Sequence, residues 1–313
     1  MKSTSPVSLR ISERRSESGL GILFMLGGMF IFSAVDTQAK VLTESLHPIQ
    51  IVWSRQLGLL IGVLIYMLFK GFSVLKTKHP GLQITRGLLA ASSATLFIVA
   101  VSFVPLADAV AVSFIAPFIV TIMGALVLKE RVGIRRWTAV TIGFVGTMIV
   151  IRPGMGVVHP AVMLVMLAAT FFALRQVLSR ALSNSDQTAT TVAYTALVGS
   201  VVLTFPLPFV WEWPATNQEI VLLSSIAVMA AIAEILVIKA LEVAQAVVVA
   251  PVQYTLLIWG TMYGYLVFGQ SPDIWTWVGA LIIVATGIYT LHREAKASQK
   301  AKKPTRKSEK IPL

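Results

Sequence analysis

Seven ionisable side chains interrupt runs that are otherwise apolar: Asp36, Lys40, Arg55, Asp108, Arg175, Glu234 and Lys239. An unpaired charge in such surroundings costs about 3 kcal/mol, so each is a candidate for chemistry. Asp36 and Lys40 are four apart, a spacing that puts both on one face of a helix and lets them pair. Arg55 stands at a similar depth in the next run. The three form a charged cluster that binds a polar ligand, exchanges partners during a conformational change, or neutralises itself as a permanent salt bridge. Glu234 lies roughly 21 Å along its run by helical rise, with only alanine and aliphatic residues beside it in the chain. A carboxylate placed so suits reversible protonation, or pairs with Arg175 in an arrangement that mirrors Asp36 with Arg55. Lys239 and Glu242 are three apart near the end of a run and read as a boundary pair. Asp108 opens a run, where a carboxylate complements the helix dipole.

Uncharged positions add to the candidates. Pro117 and Pro251 fall inside apolar runs, where a proline frees a backbone carbonyl and breaks the helix. Gln253 and Tyr254 follow Pro251 and supply hydrogen-bonding and stacking groups. A flat heteroaromatic ligand suits Phe32, Trp53, Tyr254 and Trp259, although Trp53 near a run boundary also fits an interfacial belt. The candidate binding or gating positions are therefore Asp36, Lys40, Arg55, Pro117, Arg175, Pro251, Gln253, Tyr254 and Trp259, with Glu234 as a possible coupling group. Catalysis has little to work with. There is no cysteine, no HExxH and no phosphate-binding GxxxxGK[ST] loop. The four histidines, His47, His79, His159 and His292, fall at the ends of runs, so no metal or cofactor site is expected.

Composition says what must position these groups. Hydrophobic residues make up 56% of the 313 residues and charged ones 13%, with mean hydropathy +0.80. A soluble domain carries about a quarter charged residues, so the chain reads as an all-α integral membrane protein. At about 20 residues per crossing, ten spans are expected, at 19–41, 48–69, 84–104, 106–128, 134–151, 160–182, 187–210, 219–241, 245–268 and 274–292. The net charge of +12 gathers in tails and alternate turns rather than in a patch for nucleic acid. Lys70, Lys76, Lys78 and Arg86 mark the turn after the second span, and Lys129, Arg131, Arg135 and Arg136 the turn after the fourth. Residues 1–18 form a polar tail, and residues 293–313 a basic, disordered tail with eight Lys or Arg. The opposite turns are nearly free of positive charge, which places both ends in the cytoplasm. GxxxG spacings at Gly58/Gly62 and Gly260/Gly264 allow close helix approach.

The chain also repeats itself. A shift of 140 residues aligns Phe32 with Phe172, Lys40 with Arg180, Leu42 with Leu182 and Trp137 with Trp277. The unit, residues 19–153 and again 160–292, has five spans. An odd number inverts the second copy, which explains why the turn at 269–273 lacks the basic residues of the turn after the fourth span. The segments PLADAVAVSFIAPF…VLKERVGIRRWTAVTIGFVGTMIVIRPG and APVQYTLLIWGTMYGYLVFGQ…TWVGALIIVATGIYTLHRE resemble the two EamA repeats of the bacterial drug/metabolite transporter superfamily. GILFMLGGMFIFSAVDTQAK, HPIQIVWSRQ and PLADAVAVSFIAPF are most similar to an α-proteobacterial branch that resembles riboflavin importers and S-adenosylmethionine carriers. Gln270 departs from the glutamate frequent at that position, so no proton is carried there.

The resemblance implies a non-enzymatic inner-membrane carrier of a small organic metabolite, a monomer or homodimer amid membrane lipids. Riboflavin is the first expected substrate. S-adenosylmethionine, an amino acid or another metabolite, carried or exported, is the alternative. A channel or membrane-embedded enzyme is the reading from another class.

Overall fold

The computed structural model describes residues 6–127, 134–151, 159–182, 185–243 and 250–301. Among them the chain is helical throughout: α1 (Pro6–Leu42), α2 (Pro48–Lys70), α3 (Pro80–Val101), α4 (Leu106–Ser113), α5 (Ala116–Val127), α6 (Ile134–Ile151), α7 (Val162–Leu182), α8 (Thr188–Thr204), the single turn α9 (Leu207–Val210), α10 (Asn217–Val243), α11 (Thr255–Phe268) and α12 (Ile274–Ala301). Five of these helices are long and apolar enough to cross a membrane: Gly19–Leu42, Pro48–Lys70, Pro80–Val101, Val162–Ser179 and Asn217–Ala240. Shorter apolar helices stand at Leu106–Val120, Thr141–Val150, Thr188–Thr204 and Ile274–Tyr289.

Prolines and local caps set the helix ends. Pro48 and Pro80 occupy the first turns of α2 and α3, where the missing N–H costs nothing. His47 caps α2 by accepting from the Ile49 N–H through Nδ1 at 3.3 Å, and His159 does the same for Ala161 at 3.1 Å. Both histidines thus serve backbone geometry at a helix start. Thr216 and Glu219 cap α10 reciprocally, the Thr216 Oγ1 accepting from the Glu219 N–H and the Glu219 Oε2 from the Ala215 N–H. Gly269 stops α11 in the left-handed region at φ 64, a conformation that a Cβ disfavours.

The expected fourth span is two helices, because Pro117 has no N–H to donate to Ser113 and the chain steps through Phe114–Ile115 between α4 and α5. Around Pro251 the backbone is a 3₁₀ helix, Ala250–Tyr254, leading into α11. The seventh span breaks likewise at Phe205–Pro206.

Two expectations are corrected. Arg86 is not in a turn: α3 begins at Pro80 and carries Arg86 in its second turn. The basic tail is not irregular from residue 293, since α12 runs on to Ala301 through REAKASQKA, a stretch of good helix formers. The first helix likewise reaches back through the polar tail to Pro6. Lys129 and Arg131 of the charged turn lie outside the described residues, as do residues 152–158, 244–249 and 302–313.

The packing has a regular plan. In the first half α1 packs on α10 and α11; in the second half α7 packs on α3 and on α4–α5. Helix α2 lies against α10, and α8 against α3. Three further pairs, α2 with α8, α4 with α11 and α6 with α12, join matching positions of the two halves. Exchanging the halves therefore maps the main contacts onto one another. Large apolar side chains such as Leu68, Phe69, Phe205 and Phe209 are largely exposed, as a lipid-facing surface requires and a water-facing one penalises. The buried core mixes branched aliphatic residues with alanines, including Ala91, Ala109, Ala169, Ala173 and Ala230.

Candidate functional site

Charged side chains from both halves converge between the helices. Asp36 projects from α1 and is buried, and its Oδ1 meets the Arg55 Nη1 of α2 at 3.3 Å. The Arg55 guanidinium also lies over the Phe32 ring, 5.2 Å from its centre. Lys40 does not join them, which corrects the Asp36–Lys40 pairing expected from the spacing. Its Nζ donates to the Val104 carbonyl at 2.5 Å and sits over the Phe268 ring at 5.3 Å. The carbonyls that follow a helix have no intrahelical donor, and the one at Val104, just beyond α3, captures the long side chain.

A cavity of about 90 Å³ lies beside the Asp36–Arg55 pair, lined by Phe32, Arg55, Gln56, Leu59, Ala90, Ala94, Arg175, Thr195, Ala230 and Glu234. These residues come from α1, α2 and α3 of the first half and from α7, α8 and α10 of the second. Arg175 stacks on Phe172, its guanidinium carbon 4.6 Å from the ring centre. Phe172 stands 140 residues after Phe32, so each of these equivalent rings carries one arginine. Arg175 and Glu234 face one cavity but make no contact within 4.0 Å, unlike Arg55 and Asp36. The buried Nε of Arg175 has no hydrogen-bond partner.

A third arginine backs the wall. Arg86 Nε donates to Ser179 Oγ at 2.5 Å, and Nη1 donates to the Thr191 carbonyl at 3.4 Å and to Thr195 Oγ1. Gln56 Nε2 donates to the Thr195 carbonyl at 2.9 Å. A second cavity, of about 300 Å³, shares Leu59 and Glu234 with the first. Its other walls, from Val63 and Val192 to Tyr66, Val74 and Thr188, are mostly apolar.

Polar contacts close both ends of the bundle. At one end Gln50 Nε2 donates to the Glu212 carbonyl at 2.9 Å while the Glu212 N–H donates to Gln50 Oε1 at 3.0 Å. Nearby, Trp53 Nε1 donates to Thr204 Oγ1 at 2.7 Å, and Trp53, Trp211 and Trp213 meet edge to face. At the other end Thr77 Oγ1 and Gln83 Nε2 donate to Asp186 Oδ2 at 2.5 and 2.6 Å. The Thr77 hydroxyl, above all, holds the Asp186 carboxyl below its ordinary value.

Other candidates stand apart from the cavity. Tyr254 is buried against Phe114, ring centres 4.9 Å apart, and its hydroxyl fills the place a side chain would take at Gly287. Gln253 is exposed. Trp259 meets Phe30 edge to face at 5.3 Å, with its indole N–H unpaired. Asp108, in the first turn of α4, accepts from Thr276 Oγ1 at 3.1 Å and so links α4 to α12. The side chains of Pro117 and Pro251 lie outside what is described; their effect is the backbone breaks above.

The sequence reading missed Gln56, Thr195 and Arg86. For Arg86 a signal existed, because it lies inside the expected third span and meets the same criterion that marked Arg175. For Gln56 and Thr195 no signal existed, since neutral polar residues are common in helices.

The chain matches the EamA-like transporter family twice, over residues 19–152 and 159–291. It is 28% identical over 281 residues to an S-adenosylmethionine uptake transporter of Rickettsia bellii, covering 90% of this chain and 96% of that protein. It is 31% identical over 285 residues to a riboflavin transporter of Vibrio cholerae, covering 90% and 95%. It is 27% identical over 274 residues to a pseudopaline exporter of Pseudomonas aeruginosa, covering 86% and 94%. A solved crystal structure, 15% identical, shares the fold with a TM-score of 0.60 over 88% of this chain and 98% of that one.

Proposed function

Because the chain belongs to the EamA-like transporter family, as a multi-pass bacterial membrane protein with two copies of the family domain, we propose that it is a secondary carrier that moves a small organic metabolite by alternating access. The observation that carries this reading is the cavity whose walls come from three helices of each half. Two halves that rock against each other around such a cavity expose it to either side in turn. The exchange of helix contacts between the halves supports two inverted five-helix copies.

The polar contacts at the two ends fit as gates. In a transport cycle the Gln50–Glu212 and Gln83–Asp186 contacts open one at a time. In this reading Glu234, which lines both cavities, is the candidate coupling group, and the Asp36–Arg55 pair holds the helices between gates. The inner membrane, with both termini in the cytoplasm, is the location this mechanism fits.

Two substrates are suggested by the relatives. Riboflavin rests on the Vibrio protein, S-adenosylmethionine on the Rickettsia proteins. The charged cavity favours the second, because riboflavin brings no charge to meet Arg175 or Glu234. Uptake into proteoliposomes is the test. A carrier shows saturable uptake and exchange of internal for external substrate. Non-saturating flux points to a channel, and chemical conversion of the added metabolite to an enzyme; either result removes this proposal.

A further inference from the structure

We infer that the larger cavity is a binding groove for one acyl chain of an anionic membrane phospholipid, seated among α2, α8 and α10 with its head group at the basic end of the bundle. The inference needs only a chain that crosses the membrane and does not depend on the carrier reading. Two helices each give the groove one stripe. In α2 the stripe is Leu59, Gly62, Val63 and Tyr66, and in α10 it runs from Ala231 through Glu234 and Ile235 to Lys239, spacings that share a helix face. The wall toward α8 is closed, with Val63, Val74 and Ala193 buried in one cluster. The outer side is open: Tyr66 and Ile235 are 44% and 52% exposed, and a Cβ added at Gly62 would meet nothing within 4 Å. One turn earlier, a Cβ at Gly58 would run into the Ala227 backbone. Helices α2 and α10 thus touch at Gly58 and have parted by Gly62, and the groove is the opening between them.

Length and position fit this occupant. Leu59 is the middle residue of α2, and the stripes run from its level toward one membrane face for roughly 10–12 Å by helical rise. One leaflet has a hydrocarbon depth of about 15 Å, so the groove covers most of a leaflet, from mid-membrane to head-group level. Spread along that length, about 300 Å³ leaves a slot roughly 5 Å across, which takes one hydrocarbon chain. The lips stand among the exposed side chains of Ile61, Ile65 and Leu68, so what meets them is the bilayer and not water. A chain seated in the slot touches carbon on several sides, which a chain on a smooth helix surface does not.

Charge selects the head group. Toward the membrane surface the groove ends at Tyr66, Thr188 and Lys239. Lys70 closes α2 just beyond, and Lys76 and Lys78 follow the 3₁₀ turn Phe72–Leu75 that supplies Val74. All four lysines are exposed, while Asp186 at the same end is taken up by Thr77 and Gln83. Basic side chains gathered at head-group level attract anionic lipid, and Lys and Tyr lay apolar stems along hydrocarbon while their polar tips reach the surface. At its inner end the groove meets the smaller cavity at Leu59 and Glu234. The seated chain ends there and closes the lipid side of that cavity.

The test places the full-length protein in vesicles of phosphatidylethanolamine and phosphatidylglycerol. A trace of phosphatidylglycerol with a photoreactive diazirine in one acyl chain is the probe, and labelled peptides are mapped by mass spectrometry. The expected result is labelling concentrated on Leu59, Val63, Ile235 and Ile238, above that at Phe205 and Phe209, which are exposed but outside the groove. Gly62→Leu, which puts a side chain into the open space, lowers labelling in the groove about 10-fold and leaves Phe205 and Phe209 unchanged. The same diazirine on phosphatidylcholine labels the groove about 5- to 10-fold less. Size-exclusion profiles report whether the variant is folded. Equal labelling around the bundle, or undiminished groove labelling in folded Gly62→Leu, overturns the inference and means annular lipid only. Equal labelling by the two lipids overturns the head-group assignment. Because the chain has no cysteine, Gly62→Cys reports what fills the groove. Slow reaction with a charged maleimide added to both sides of the membrane is expected; rapid reaction means water and overturns the inference. No readout requires transport, so each of these failures leaves the carrier reading standing.

Discussion

A carboxylate and a guanidinium held 3.3 Å apart inside a helix bundle stabilise it only while both are present. Removing one partner leaves the other charged, buried and unmatched. That penalty runs to about 3–5 kcal/mol for a buried pair. The Arg55 side chain keeps 26% of its exposure, which places this pair near the low end. Asp36→Asn and Arg55→Gln are each expected to cost about 3 kcal/mol, and the double variant less than either, because it leaves no orphan charge. Thermal unfolding in detergent, compared across the three variants, reads this directly. A double variant as unstable as the two singles combined would mean that the residues act separately. The identities of these charges were legible in the sequence, and Asp36 with Arg55 was one of the pairings it left open; which of Lys40 and Arg55 takes the carboxylate was not. Lys40 is four residues from Asp36 and so the natural local partner, yet Arg55 of a neighbouring helix has the place. Helical spacing says which groups share a face, and says nothing of what the next helix brings to it.

Among helices, close approach depends on which glycine meets backbone and which meets space. The Gly58/Gly62 and Gly260/Gly264 spacings suggest contact at every position. A Cβ at Gly58 would fall 1.8 Å from the Ala227 carbonyl oxygen, while one at Gly62 would meet nothing within 4 Å. A Cβ at Gly260 would touch Val110 at an ordinary 3.4 Å. The α2–α10 crossing, which carries Arg55 and Glu234 to the same cavity, therefore turns on Gly58. Gly58→Ala is expected to lose about 1–3 kcal/mol by overpacking, with reduced uptake, whereas Gly62→Ala stays within about 0.5 kcal/mol of wild type. Equal effects at the two positions, by thermal unfolding, would rule out the tight crossing. The helix breaks at Pro117 and Pro251 were more legible than the crossings. A missing N–H acts within its own helix, but a missing side chain matters only for what lies opposite.

For the whole molecule, the charge distribution and the packing each bear on the proposed inverted arrangement. Basic residues in alternate turns predict an orientation for the spans, and the helix contacts of one half have counterparts in the other. The charge pattern predicts both termini in the cytoplasm, so a reporter fused after Leu313 is expected to be active in its cytoplasmic form and silent in its periplasmic form. The opposite pattern would remove the ten-span, inverted arrangement while leaving the family untouched.

The sequence by itself determined the class of molecule and the two copies of the family domain, because hydropathy and proline act through short stretches of chain or through the membrane, which every residue meets alike. It also named most of the charges that matter. Only the tertiary structure decided that Asp36 turns to Arg55, that Lys40 goes to the Val104 carbonyl, that Tyr254 is packed away against Phe114, and that Arg175 faces Glu234 across a gap. Those outcomes depend on contacts between helices far apart in the chain, where a rotation of one side chain changes which charge meets which partner.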